Sequence, residues 1–351
     1  MRRWLVLATA LGLVLLALVL NRIDLGVVWQ RLREIEGWQL ATLVGVYLFG
    51  RTGGILSWLL TMPSLQATPQ WWIRMCRAQA IGDAVERLTP LAGLGGAPVK
   101  AVLLKRDYGV RIRDTTTSLV LTRTTDLLAI LAFCSIGMAL LSTSQQISPE
   151  IRNTASVSLA VCVIFTVSFF LAQYSHALSR AAPWLEKHWP SRFHGTRGAA
   201  LESLVDIENQ LTRYYTGQPR RFVGSVLATF AEWVVETSLI LLTFGFLEIP
   251  ISVADAVCIE AFSLLVRSTL FFVPGDIGTQ EASLVVMSGA LLGSASLGLV
   301  LAAVIRLGEL AFVAIGLVLG MRSLAELRHA ADAADTANAA NLADATDIAP
   351  D

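Results

Sequence analysis

The chain has 351 residues, 54% of them hydrophobic and 15% charged, with a mean hydropathy of +0.62 and a formal net charge of zero. That much apolar surface exceeds what a water-soluble core of this length can hide, so the sequence predicts an all-α polytopic membrane protein. The balanced charge gives no basic footprint, which argues against a nucleic-acid partner.

About 20 apolar residues cross the hydrocarbon core as a helix. On that length, spans are predicted near residues 4 to 20, 38 to 61, 115 to 142, 154 to 174, 222 to 246 and 297 to 320. Met1-Arg2-Arg3 precedes the first run, which ends at Leu20-Asn21-Arg22 without a small-residue cleavage pattern; it is read as an uncleaved anchor. Residues 24 to 36, DLGVVWQRLREIE, have apolar side chains near helical spacing. Two readings stay open there: a helix lying along the membrane surface, or a loop helix packed on the bundle. Two stretches differ from the spans, about 71 to 108 and 252 to 293. Each is too long for one crossing, too short for two, and broken midway by Pro and Gly, so each is expected to be a re-entrant helical hairpin. The tail, 323 to 351, is Ala/Asp-rich without aromatics and is expected to be disordered and cytoplasmic.

Lys and Arg orient the spans. With the N-terminus cytoplasmic and each hairpin returning to its side of entry, fifteen basic residues fall inside and four outside. The positive-inside rule then places both termini in the cytoplasm of a multi-pass protein.

The chain also repeats itself. Pro90 and Pro274, in the middles of the two hairpins, lie 184 residues apart, and Arg123 and Arg306, in the spans that follow, lie 183 apart. Arg123 begins R-T-T-D-L and Arg306 begins R-L-G-E-L, so the order span, broken hairpin, span carrying Arg-x-x-acid-Leu occurs twice. The topology puts the first hairpin in from the cytoplasm and the second from outside. The expected organisation is a membrane domain over 1 to 322: repeat 1 at about 38 to 142, repeat 2 at about 222 to 320, and a linking span at 154 to 174 that inverts the second. Inverted repeats with discontinuous helices are a transporter architecture.

Charges at membrane depth supply the chemistry, because an ionised side chain there costs about 3 kcal/mol and must face a cavity or a partner. They include Arg51, Glu86, Arg87, Lys100, Arg123, Asp126, Glu232, Glu236, Glu260, Arg267, Asp276, Glu281, Arg306 and Glu309. Arg123 with Asp126, and Arg306 with Glu309, are spaced to pair on one helical face. They serve either as transport groups or as ion pairs that fix helix packing. Glu232 and Glu236 are like charges one turn apart and need partners from other helices, with Arg51, Arg267 and Arg306 as candidates. The candidate substrate-binding set is Arg87, Pro90, Arg123, Asp126, Glu232, Glu236, Arg267, Pro274, Asp276, Glu281, Arg306 and Glu309. Cys76, Cys134, Cys162 and Cys258 lie far apart in apolar segments and are read as buried small hydrophobes, and the four histidines lie in polar connections. No metal site and no cofactor are expected. The GLGG at 93 to 96 lacks the lysine of a phosphate-binding loop.

The stretches RLTPLAGLGGAPVKAVLLKRDYG, LTRTTDLLAI and FFVPGDIGTQEASLVVM resemble the signatures of the lysylphosphatidylglycerol synthase transmembrane-region family, also called flippase-like membrane proteins. The similarity covers roughly residues 5 to 322. The family includes the lipid-flipping half of bacterial multiple peptide resistance factors and stand-alone, hopanoid-transporter-like proteins. It implies transbilayer movement of a lipid, of phospholipid or hopanoid class, in the bacterial inner membrane. In two places the chain departs from the family. Family synthases carry a soluble aminoacyl-transferase domain after the membrane part, whereas this chain ends about 30 residues after its last span, so lipid aminoacylation is not expected. The first hairpin carries Ala97-Pro98-Val99-Lys100 where many relatives have a Gly-Glu and an Arg.

The sequence-level expectation is therefore a lipid flippase or transporter, not an enzyme, with both hairpin tips flanking a central polar cavity. Its alternative is a non-catalytic membrane partner of a lipid-biosynthetic enzyme. An intramembrane lipid-acting enzyme fits less well, because the chain lacks a histidine at depth, a metal constellation or an activated nucleophile.

Overall fold

The chain's computed structural model describes residues 13–14, 16–17, 20–21, 23–88, 96–143, 147–174, 180, 210–211, 213–270 and 273–347. The first predicted span lies mostly outside the described residues. The remaining spans each form one helix: α2 (Gly37–Leu60), α5 (Ile112–Thr143), α6 (Pro149–Tyr174), α7 (Pro219–Phe246) and α10 (Ala295–Asp347). All five contain a stretch long and apolar enough to cross a membrane. The first broken stretch becomes α3 (Pro69–Leu88) and α4 (Gly96–Tyr108); the second becomes α8 (Val253–Thr269), a 3-10 turn (Pro274–Asp276) and α9 (Thr279–Leu292). Among the described residues the protein is helical throughout its regular structure.

The repeat is visible in how these helices pack. The two first spans, α2 and α7, pack on each other and run antiparallel: Trp38 meets Phe246 at 5.4 Å between ring centroids, Arg51 meets Glu232, and Ser57 Oγ lies 2.7 Å from Ser225 Oγ. Equivalent helices pointing in opposite directions are what inverted repeats require. The exchange extends to the other elements. The first hairpin arm α3 packs on the last span α10, and its counterpart α8 packs on α5, the counterpart of α10. Both pairs are antiparallel, as Arg87 with Glu309 and a Gly316 against Ala80 show for one, and Cys134 with Ala261 and Gly137 with Cys258 for the other.

Small side chains allow α2 and α7 to approach closely. A Cβ on Gly53 would lie 2.6 Å from the Ala228 carbonyl, so no other residue fits without separating the helices. Hydroxyls join α5 to the same pair: Ser225 Oγ of α7 lies 3.0 Å from Thr125 Oγ1, and Trp58 Nε1 of α2 donates to Ser118 Oγ at 3.0 Å. With no hydrophobic driving force between helices in lipid, such contacts and close packing supply the association.

Two apolar clusters cap the bundle at opposite ends. One, with Trp58, Met62, Met75 and Leu104, holds the first hairpin; the other, with Leu43, Phe244, Ile259, Met287 and Val300, holds the second. The hairpins therefore insert from opposite ends. At the first end Arg221, in the opening turn of α7, donates to the carbonyls of Leu59, Leu60, Met62 and Leu65 at 2.8 to 3.0 Å. The last carbonyls of a helix have no partner within it, and one guanidinium here serves two of them, Leu59 and Leu60, together with two in the loop that follows α2. Arg221→Ala is expected to lower stability by about 3 kcal/mol, read as an earlier transition in a detergent unfolding titration.

Helix α6 packs on α5 and α8 and turns Val157, Ile164, Phe165 and Leu171 outward, as a lipid-facing linker should. Residues 25 to 34 form the short helix α1 (Leu25–Glu34), capped by Asp24, whose carboxylate accepts from the Gly26 N–H at 2.8 Å. It packs on α10 through buried Val28, as the loop-helix reading expects, and leaves Leu25, Val27 and Trp29 exposed.

Two expectations need correction. Residues 323 to 347 are helical, continuing α10 without a break, not disordered. Alanine has the highest helix propensity, and a helix already nucleated by the preceding span propagates into an Ala-rich segment without a new nucleation cost. Cys76 is half-buried, whereas Cys134, Cys162 and Cys258 are buried, and all four are free thiols.

Candidate functional site

Pro274 has no N–H to continue a helix, and the chain behind it takes left-handed backbone at Gly275, Asp276 and Gly278, with φ of 65°, 53° and 81°. Asp276 is not a glycine and holds this conformation because its neighbours are pinned. Arg306 does the pinning: Nη1 donates to the Gly275 carbonyl at 3.1 Å and Nη2 to the Asp276 carbonyl at 3.2 Å. Its Nε donates to Glu281 at 2.8 Å, and the same carboxylate accepts the Gly278 N–H at 2.8 Å. The backbone groups freed by the broken helix are thus satisfied from α10 and α9, the condition for irregular backbone at membrane depth.

Glu309, one turn after Arg306, joins this tip to the other hairpin. Its Oε2 accepts from Arg306 Nη1 at 2.7 Å and from Arg87 Nη1 at 2.8 Å. Arg87 is the penultimate residue of α3, immediately before the first tip. The first hairpin thus meets, at one carboxylate of α10, the arginine that holds the second tip. Pro90 lies outside the described residues.

A second cluster sits beside the first. Arg51 on α2 donates to Glu232 on α7 at 2.7 Å and to Asp83 on α3 at 3.2 Å. Lys100 on α4 pairs with Asp83 at 2.8 Å, and Gln79 donates to both Asp83 oxygens at 3.1 Å. Gly54 makes room for the Glu232 carboxylate: a Cβ there would lie 2.5 Å from Oε2. The Arg51 guanidinium also stacks over Phe312 of α10, 5.6 Å from the ring centroid. Asp83 is one turn before Arg87 on α3, so the two clusters share that helix. A third pair, Arg267 with Glu260 at 3.2 Å, lies along α8.

The twelve candidates fall into distinct groups. Arg87, Arg306, Glu281 and Glu309, with the Pro274 and Asp276 backbone, form the junction of the tips. Glu232 is paired with Arg51, while Glu236 makes no hydrogen bond or ion pair among the described residues and has Arg267 as its strongest charged neighbour. Asp126 accepts from Thr229 at 3.1 Å, and its expected partner Arg123 stands 3.9 Å away with its side chain 72% exposed. Arg123 is the counterpart of Arg306, so the repeats differ here: one arginine is bound into its tip and the other is loose. Asp83 and Gln79 are missing from the sequence-derived set, and Lys100 belongs to the site although it was not among the twelve. Asp83 lies one turn ahead of Arg87 on the same helical face, and that spacing is the signal that identifies it.

A family model described as lysylphosphatidylglycerol synthase TM region matches residues 5–316. The chain belongs to the lysylphosphatidylglycerol synthase transmembrane-region family. No curated protein and no solved structure matches the chain. The matched residues include every residue of the three ion-pair clusters. It marks the chain as a multi-pass membrane protein of a family concerned with lipid handling.

Proposed function

We propose that the protein is a lipid flippase or transporter that moves a polar-headgroup lipid across the bacterial inner membrane through a cavity between its inverted repeats. The observation that carries this reading is that two oppositely inserted hairpins are joined through the Arg306–Glu309 pair of α10, Arg87 on Glu309 and the second tip on Arg306. Structural salt bridges within a bundle need no such symmetry, whereas alternating access does: exchanging the conformations of two equivalent halves opens the cavity to the other side. The loose Arg123 and the engaged Arg306 then represent the two conformations of one element, coexisting in one state.

The headgroup phosphate is taken by the arginines with donors to spare. Arg306 and Arg51 are held by carboxylates or carbonyls on several sides; Arg123 is 72% exposed and Arg87 38% exposed with one partner. Charge-assisted hydrogen bonds from these two suit a phosphodiester, and the acyl chains remain in lipid beside the bundle. The bias of Lys and Arg toward one side supports cytoplasmic termini.

Arg123→Ala and Glu281→Ala are each expected to slow translocation of a fluorescent phospholipid in proteoliposomes at least tenfold, about 1.4 kcal/mol, with the protein still folded. Unchanged rates in both would remove the tips from the transport path.

A further inference from the structure

Most carboxylates at membrane depth have a cation. Glu232 has Arg51, Asp83 has Arg51 and Lys100, Glu260 has Arg267, and Glu281 and Glu309 have Arg306. Glu236 does not. It lies on α7 one turn from Glu232, midway along a span, without a hydrogen bond or ion pair among the described residues. An ionised carboxylate in that position calls for a positive charge that the protein itself leaves to a ligand.

An independent observation marks the same place. Gln280, at the start of α9, is 1% exposed, yet both atoms of its amide are buried without a partner, and so is Arg267 Nε. Ser283 Oγ, one turn after Gln280, donates to Ser263 Oγ on α8 at 3.2 Å. Glu260, Ser263 and Arg267 form one stripe of α8, so this bond docks the Gln280 face of α9 onto the Arg267 stripe. Glu236 reaches the same stripe from α7, with Arg267 its first electrostatic neighbour and Glu260 also feeling its charge. A buried amide with nothing to bond to is rare enough to point to an occupant.

Building on the transport reading, we propose that Glu236, Arg267, Glu260 and Gln280 form a coupling-cation site whose occupant is a proton carried by Glu236. The cluster of two carboxylates and one guanidinium carries one negative charge in excess, which a single proton neutralises. A metal cation fits poorly: among the described residues no three His, Cys, Asp or Glu side chains are gathered to ligate one, and the guanidinium repels it. The other charged and titratable groups around Glu236 are Arg51 and Tyr47 on α2, Glu232 on α7 and Glu309 on α10; α5 presents Asp126, which is bonded to Thr229. Arg267 is the device that passes the proton's effect onward. It is attracted both by Glu236 and by Asp276 in the second tip. Arg267 is held first by Glu260, at 3.2 Å, and then by Asp276 and Glu236; protonation of Glu236 removes one of these three and leaves the guanidinium to Glu260 and the Asp276 tip, and release of the proton to the other side reverses this.

Purified full-length protein in vesicles of phosphatidylglycerol and phosphatidylethanolamine, with a fluorescent phospholipid, tests the site in two ways. Infrared titration of the wild type should show a carboxylic-acid carbonyl band that is lost in E236Q and kept in E281Q. An imposed pH gradient should speed lipid movement several-fold in the wild type, an equal sodium gradient should not, and E236Q should lose the response to pH. A band unchanged in E236Q, lipid movement indifferent to the pH gradient, or a response to sodium instead, overturns the proposal while leaving lipid movement itself intact. A band that depends on Glu236 in a protein that moves no lipid supports the proton site and defeats the transport reading.

Discussion

Glu309→Gln is expected to reduce lipid translocation about a hundredfold while leaving the bundle folded. Glu309 is the acceptor shared by Arg306, which holds the second tip, and Arg87, which precedes the first. Neutralising it removes two charge-assisted hydrogen bonds, each of about 1.5 to 3 kcal/mol, and a decade in rate corresponds to about 1.4 kcal/mol. Arg306 keeps Glu281 and the Gly275 and Asp276 carbonyls, so the second tip stays docked. Arg87, 38% exposed, is paired with no second carboxylate among the described residues and is released. The variant therefore uncouples the hairpins without dissolving either. Glu309→Asp, which retains the charge on a shorter arm, should recover part of the rate, whereas loss of a mere packing contact would respond equally to both substitutions. The check is the translocation rate of the two variants beside the wild type, with monodispersity by size exclusion as the control for folding.

The largest effect on stability is expected from Arg51→Met. Its guanidinium neutralises Glu232, which is 4% exposed, and shares Asp83 with Lys100. Removing one partner of a buried pair leaves an uncompensated charge and costs about 3 to 5 kcal/mol, more than the net worth of the pair when intact. Arg51→Met with Glu232→Met removes both charges and should recover most of the loss, because methionines of similar volume fill the α2–α7 interface as well as an ion pair does. Unfolding titrations of the two single variants and the double variant form the cycle; strictly additive losses would show that Arg51 and Glu232 are not energetically coupled.

Much of the bundle was legible because the bilayer imposes length. The spans read from hydropathy begin and end within a few residues of α2, α5, α6 and α7, and Pro and Gly placed both hairpins. The sequence pointed to a repeat through Pro90 and Pro274 and the two Arg-x-x-acid motifs alone. What those motifs do was not legible. Identical spacing predicts identical pairing, but Arg306 closes on Glu309 at 2.7 Å while Arg123 stays 3.9 Å from Asp126, which accepts from Thr229 on a neighbouring helix. Asp83 was missed because its partners, Arg51 and Lys100, come from other helices; only its place one turn ahead of Arg87 marked it in the sequence. Arg221 counted only as a cytoplasmic charge; its service to four carbonyls, two at the end of α2 and two in the loop after it, depends on where α7 begins against the end of that helix. In the tail, composition pointed to disorder while the preceding span supplied a nucleus that composition does not contain.

The most direct measurement is the fraction of a fluorescent phospholipid, placed in both leaflets of proteoliposomes, that a membrane-impermeant reductant can bleach. Without transport only the outer half is accessible. With the purified protein present, bleaching should proceed well beyond the outer leaflet, and Glu309→Gln should return it close to the protein-free value. Bleaching that stops at the outer leaflet with folded wild-type protein in every vesicle would contradict lipid translocation by this bundle.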